Sequence, residues 1–309
     1  MSFYTVFVAL AAFFWGVAGG LGGMLIADGW SPYVVALCRG GVGLLFVFSW
    51  LMWRSQKSGL RSHWLWLWSV VAGLGVAGNF TFYFISIAHG SVAVAATLMY
   101  CAPVFVYLIS FALGLERPSM IKFMAIAAVM VGIVLLTHVY TVGLSGLSLI
   151  GVGAGLMAGF SYAVFIFGFK YAAPHGSPQT ILSIAFAVLV AVLIVPSDVS
   201  QAFKGLASTD WLLFAALGVL GGGLSFVLYI IGLNYTAPAM AAIVAMVEPV
   251  TATLFSVLLL DELLATMQLV GMGIILLTVT ALSVSASKPG ASSSTPGGSS
   301  KAPARQRRA

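Results

Sequence analysis

Apolar residues arrive along this chain in long continuous blocks. They do not alternate as in a strand, and they do not form the one-sided stripe of a soluble helix. Ten blocks are separated by short stretches holding Gly, Pro, Ser or charge: 3–26, 32–53, 64–88, 91–114, 119–139, 146–169, 178–195, 211–234, 237–260 and 264–284. Each is about 18–25 residues long, the helix length that a hydrocarbon core of roughly 30 Å requires. A membrane barrel would instead read as strands of about ten residues with alternating character. The pattern predicts an all-α integral membrane protein of ten transmembrane helices, with no soluble domain in its connections.

Composition sharpens this. The 309 residues are 61% hydrophobic and only 6% charged, against about 25% charged in soluble domains. A mean hydropathy of +1.11 cannot be hidden in a water-soluble core. Cys38 and Cys101 both fall in apolar blocks and read as small core residues, not as a disulfide or a metal site. The first block lacks the charged leader and cleavage site of a secretory signal. Segment 287–309, rich in Ser, Gly, Pro and Ala with a basic finish, predicts a disordered tail that holds to anionic lipid headgroups. With the N-terminus inside, one set of connections collects Arg54, Lys57, Arg61, Arg117, Lys122, Lys170 and the basic tail, while the other holds Lys204 and most of the acids. The excess of Lys and Arg predicts both termini in the cytoplasm, in a plasma (inner) membrane.

The chain also resembles itself. At an offset of 146, SPYVVAL (31–37) falls on SPQTILS (177–183), YFISIAHGSVAVAATL (83–98) on YIIGLNYTAPAMAAIV (229–244), and Pro103 on Pro249. The halves are therefore repeats, 1–140 and 141–286, of five helices each. Five is odd, so the second copy enters from the opposite side of the membrane. Two inverted five-helix repeats of this kind place a substrate site near the midplane where they meet, and let it open to each side in turn.

Candidate site residues follow from this symmetry. Asn79 and Tyr83 share one face of the third span, and their mates Ser225 and Tyr229 share one face of the eighth. Met99 and Tyr100 of the fourth span match the region of Met246 in the ninth, and Trp15 is expected to face Tyr162. These nine residues form the expected substrate cavity, apolar with a few hydrogen-bonding groups, or else they simply bond helix to helix. Pro103 and Pro249 interrupt helical bonding. They act as hinges that free carbonyls for substrate, or as static kinks.

Two charges stand inside spans, Arg39 and Glu248, and buried charge is a functional suspect by default. Helix rise puts them about 10 Å and 18 Å below the same end. The first expectation is that they form, or approach, a gating ion pair that fixes the second span against the ninth. A proton-coupling role for Glu248 and a contact with a substrate ammonium are the other two. The glycines at 16, 20 and 221–223 suggest close packing or a bend. GLGVAG (73–78) has the letters of a dinucleotide fingerprint but no βαβ unit around it. The histidines lack metal-ligand spacing, so no metal or cofactor is expected, and no nucleic-acid partner. No P-loop is present to bind ATP, and the buried polar groups are too sparse for a membrane-embedded enzyme.

The stretch EPVTATLFSVLLLDELLATMQLVGMGIILL (248–277) resembles the second repeat of the EamA-type drug/metabolite transporters. APVFVYLISFALGLERPS (102–119), FWG (14–16) and Arg39 within VVALCRGG (34–41) agree with the first repeat. The likeness covers about 1–285, and within the superfamily the chain is similar to the YddG-like (aromatic) amino-acid exporters. That resemblance implies ten helices, no nucleotide cofactor, no enzymatic activity, and alternating-access export of amino acids or related small metabolites. Another drug or metabolite class in the same superfamily is the runner-up cargo.

Overall fold

The computed structural model describes residues 3–53, 59–89, 92–115, 118–142, 148–259 and 263–285. These hold fourteen α-helices: α1 (Phe3–Ala27), α2 (Pro32–Trp53), α3 (His63–Ala88), α4 (Val92–Met99), α5 (Ala102–Ala112), α6 (Met120–Leu136), α7 (Leu149–Ala172), α8 (Pro178–Leu193), α9 (Val199–Leu206), α10 (Trp211–Gly218), α11 (Ser225–Asn234), α12 (Pro238–Val244), α13 (Val247–Leu259) and α14 (Thr266–Ser285). A π-helical turn at Val219–Leu224 joins α10 to α11. Seven helical stretches are long and apolar enough to cross a bilayer, and three shorter apolar ones are Met120–Leu136, Pro178–Leu193 and Thr266–Leu282. The chain is a multi-pass, all-helical membrane protein. The tail at 287–309 lies outside the described residues.

Helix ends follow the local sequence. Ser62, Ser148, Ser177 and Asp198 cap α3, α7, α8 and α9, each side-chain oxygen accepting from a backbone N–H three residues on. Pro32, Pro178 and Pro238 open α2, α8 and α12, where the missing N–H costs nothing. Gly29 (φ 93°) and Gly114 (φ 65°) close α1 and α5 in a left-handed turn that side chains avoid.

Two expected spans are broken. The fourth divides into α4 and α5 at Tyr100–Cys101, and the ninth into α12 and α13 at Ala245–Met246. Pro103 and Pro249 each follow a break by a few residues: neither ring can accept the carbonyl four residues back, so the chain turns there first. A stretch expected to be a plain connection is α9, fastened by a bond from the Ser31 N–H to Gln201 Oε1 (3.3 Å) and by Cys38 Sγ to the Ala202 carbonyl (3.9 Å).

Contacts fix the helix directions. Along α3 and α7, Gly151 meets His89, Gly75 meets Phe165 and Gly168 meets Ala72, so the two run antiparallel through their length. Glycines at each crossing let the backbones approach. α1 lies against α11 and α13, α2 against α8 and the π turn, and α3 against α7 and α8. α6 and α14 pack chiefly on each other, with Gly132 against Gly271. Their outer faces expose Met120, Phe123, Met124, Val270 and Leu277, as helices facing lipid do.

One end of the bundle carries the α1–α2 turn, the α3 C-terminus, α9 and the α10 N-terminus, where Trp30 Nε1 donates to Asp210 Oδ2 at 2.9 Å. The other carries the α1 N-terminus, the α7–α8 turn and the α11–α12 turn.

Candidate functional site

A cavity of about 610 Å³ opens between α1, α2, α3, α7, the α4–α5 break and the first turn of α13. It is within the ~300–1,000 Å³ usual for small-molecule sites. It extends from Tyr162 and Glu248 at its base to Ile26, Pro32, Tyr33, Ile87 and Ala88 at the α1–α2 end.

The wall on α1 depends on glycine. Gly19, Gly22 and Gly23 line the cavity, and nothing lies within 4 Å of a Cβ placed on Gly23. Gly16, on another face, packs directly on α13: a Cβ there would stand 2.5 Å from Thr251 Cβ and 2.6 Å from the Glu248 carbonyl.

Glu248 owes its place to the break before it. A helix that starts inside the membrane presents unpaired N–H groups and a partial positive charge, which favour an acid in the first turn; Glu248 is in the first turn of α13. Its carboxylate accepts a long hydrogen bond at Oε2 from the Tyr162 hydroxyl, 3.4 Å. Arg39 reaches the π turn: Nε and Nη2 donate to the Gly221 carbonyl at 3.1 and 3.0 Å, and the guanidinium lies over Phe80, 5.2 Å from the ring centre. Its five N–H donors are not exhausted by these two bonds. Gly222 has no room for a side chain, since a Cβ would stand 2.5 Å from the Arg39 carbonyl.

The direct Arg39–Glu248 pair anticipated from depth is therefore not formed among the described residues. Both line the cavity, but the arginine is drawn to a glycine carbonyl by the close approach of α2 to the π turn.

Below the cavity an aromatic floor closes the path. Trp15 stands 4.8 Å from Tyr229, 5.0 Å from Phe226 and 6.4 Å, edge to face, from Tyr162. Phe165, Phe169 and Phe186 continue the layer. Further towards the α7–α8 end, Lys170 Nζ donates to the carbonyls of Leu233, Asn234 and Thr236 at 2.7, 3.0 and 3.0 Å, and Tyr4 stacks on Tyr235 at 3.9 Å.

Of the anticipated cavity residues, Trp15, Asn79, Tyr83, Met99, Tyr100 and Tyr162 line it. Ser225, Tyr229 and Met246 do not: each is fully buried. Asn79 spends its amide on the Ala158 carbonyl (3.0 Å). Pro103 and Pro249 stand behind the wall, not in it. Sequence reasoning missed Tyr33, Phe80 and Phe84. Phe80 and Phe84 flank Asn79 and Tyr83 on the same helix, so widening that face by one position would have included them.

The family model described as the EamA-like transporter family matches twice, over residues 2–138 and 149–284. An uncharacterized transporter of Archaeoglobus fulgidus is 30% identical over 198 residues, 63% of this chain and 68% of its own. The uncharacterized transporter YwfM of Bacillus subtilis is 23% identical over 294 residues, 92% of this chain and 95% of its own. A solved crystal structure superposes with a TM-score of 0.72 over 93% of this chain and 98% of its own at 18% identity, which speaks to the fold alone.

Proposed function

The chain belongs to the EamA-like transporter family, and from that premise we propose that it exports amino acids or closely related small metabolites from the cytoplasm by alternating access. One observation carries the choice of cargo. The cavity is walled by aromatic rings and lined by one cation, Arg39, and one carboxylate, Glu248, which are not paired with each other. A zwitterion complements such a site: its carboxylate takes the remaining Arg39 N–H donors, its ammonium takes Glu248, and its side chain lies on the rings.

Two inverted repeats, 1–140 and 141–286, supply the two faces, and Pro103 and Pro249 act as hinges beside the breaks. The double family match and the antiparallel α3–α7 packing support that reading. The Lys and Arg distribution supports cytoplasmic termini in the plasma membrane. With that orientation the cavity faces outward, and the aromatic floor with Lys170 seals the cytoplasmic end.

The test is calorimetric binding to the purified protein of a large neutral amino acid, its amide and its N-acetyl derivative. The free amino acid is expected to bind at least about tenfold more tightly than either analogue, since each has lost one charge-assisted bond. Equal binding of all three, or no binding of any amino acid, overturns the proposal. Tighter binding of the amide would favour a cationic cargo.

A further inference from the structure

The site is lopsided in a regular way. At the offset of 146, Tyr33 corresponds to Gln179, Asn79 to Ser225, Tyr83 to Tyr229 and Tyr100 to Met246. Every first member lines the open cavity and no second member does. Ser225, Tyr229 and Met246 are each 0% exposed. Gln179 opens α8 at the opposite end of the bundle from Tyr33, which opens α2.

Three of the second members also hold oxygens with no partner: Gln179 Oε1, Ser225 Oγ and Tyr229 OH are buried and unbonded, and Trp15 Nε1 beside Tyr229 is too. A buried polar atom without a partner is costly, so each in a folded protein calls for a reason. Interhelical bonding, the bland role for such residues, is not what these four atoms do in this conformation. Ser225 precedes Tyr229 by one turn on α11 and so stands on the cavity side of it, Tyr229 lies in the floor with Trp15, and Gln179 is near the start of α8 at the far end.

We infer that Gln179, Ser225 and Tyr229 are the polar lining of a second cavity, open to the α7–α8 end, that exists when the repeats exchange conformations. In that state they stand where Tyr33, Asn79 and Tyr83 stand now, with Trp15 shared between the two. Their oxygens are left unbonded here because their partner is cargo or water admitted from the other side. The inference rests on the alternating-access part of the proposed function. It does not depend on which cargo is carried.

Two experiments test it. In protein with Cys38 and Cys101 replaced by alanine, Gln179→Cys, Ser225→Cys and, for comparison, Tyr83→Cys are reacted with a membrane-impermeant maleimide applied to one face of proteoliposomes at a time. Tyr83→Cys should react from the α1–α2 face. Gln179→Cys and Ser225→Cys should react from the α7–α8 face, several-fold faster while a transported amino acid is exchanging. Reaction of the latter two from the α1–α2 face, or from neither face in a variant that transports, overturns the inference. If two-sided reactivity appears but no amino acid changes it, the cargo is wrong and the second cavity stands. In addition, Tyr229→Phe should leave the midpoint of unfolding unchanged or raised, since the hydroxyl is unbonded here, yet slow turnover about tenfold. A Tyr229→Phe protein with normal turnover would contradict the assignment.

Discussion

The crossing of α1 over the first turn of α13 gives a sharp contrast between two glycines of one helix. A methyl on Gly16 would stand 2.5 Å from Thr251 Cβ, 2.6 Å from the Glu248 carbonyl and 2.9 Å from the Ala252 nitrogen. Carbon contacts settle at about 3.5–4.0 Å, and two of these three atoms are backbone, which cannot rotate away. The helices must part by roughly 1 Å. Overpacking of this sort costs about 1–3 kcal/mol. Alanine also gains roughly 0.8–1.0 kcal/mol over glycine in a helix interior. Gly23→Ala receives that gain and no clash, because nothing lies within 4 Å of the added carbon. The helix gain is common to both, so the difference between the variants isolates the crossing: Gly16→Ala should be about 1–3 kcal/mol less stable than Gly23→Ala. Reversible unfolding in mixed micelles of rising dodecyl sulfate content, followed by circular dichroism, measures it. Equal stabilities would refute the α1–α13 contact, and with it the placement of Glu248 at the cavity base.

Arg39→Lys keeps the charge but loses the two-point grip on the Gly221 carbonyl; the KM of a transported amino acid should rise about tenfold with folding intact. Glu248→Gln should weaken binding of the free amino acid about tenfold and leave its N-acetyl analogue unaffected, as calorimetry would read. Lys170→Met releases three carbonyls at the end of α11, each bond to a charged group being worth about 1.5–3 kcal/mol. Maleimide reaction at Gln179→Cys from the α7–α8 face should then be faster by about tenfold or more, and an unchanged rate would show that this lysine does not hold the closed end.

Much of the architecture is legible in the chain because membrane helices must satisfy their own backbone and show it as long apolar blocks. Segments such as 211–234 reappear intact as α10, the π turn and α11. The breaks were half-visible: Pro103 and Pro249 announce an interrupted helix, but not that the interruption falls two to four residues earlier and makes a fresh helix start for Glu248. α9 was hidden because eight residues with an ordinary Asp cap, lying between two longer spans, read as connection. The site divides along a similar line. Trp15, Asn79, Tyr83, Tyr100 and Tyr162 stood out as polar or amphipathic groups inside apolar runs. Tyr33, Phe80 and Phe84 did not, since an aromatic ring on an apolar helix looks the same whether it meets lipid or cavity. Ser225, Tyr229 and Met246 were chosen by repeat arithmetic, which treats the halves as equivalent. Any one conformation of such a protein is asymmetric, and sequence alone does not say which half is open. The contact that Arg39 makes was hidden for a different reason. Depth arithmetic put it near the one acid available, and the competing acceptor, a carbonyl made reachable by three glycines in a π turn, carries no mark that distinguishes it from any other peptide oxygen.

Counterflow in proteoliposomes bears most directly on the central claim. Vesicles holding the purified protein are loaded with millimolar unlabelled amino acid and diluted into trace labelled amino acid. Label should accumulate transiently above equilibrium, an effect inhibited by excess free amino acid outside, lost in Arg39→Ala and Glu248→Ala protein, and absent from empty vesicles. Label that never exceeds the empty-vesicle background with any amino acid, under any imposed pH gradient, would contradict amino-acid transport by this cavity.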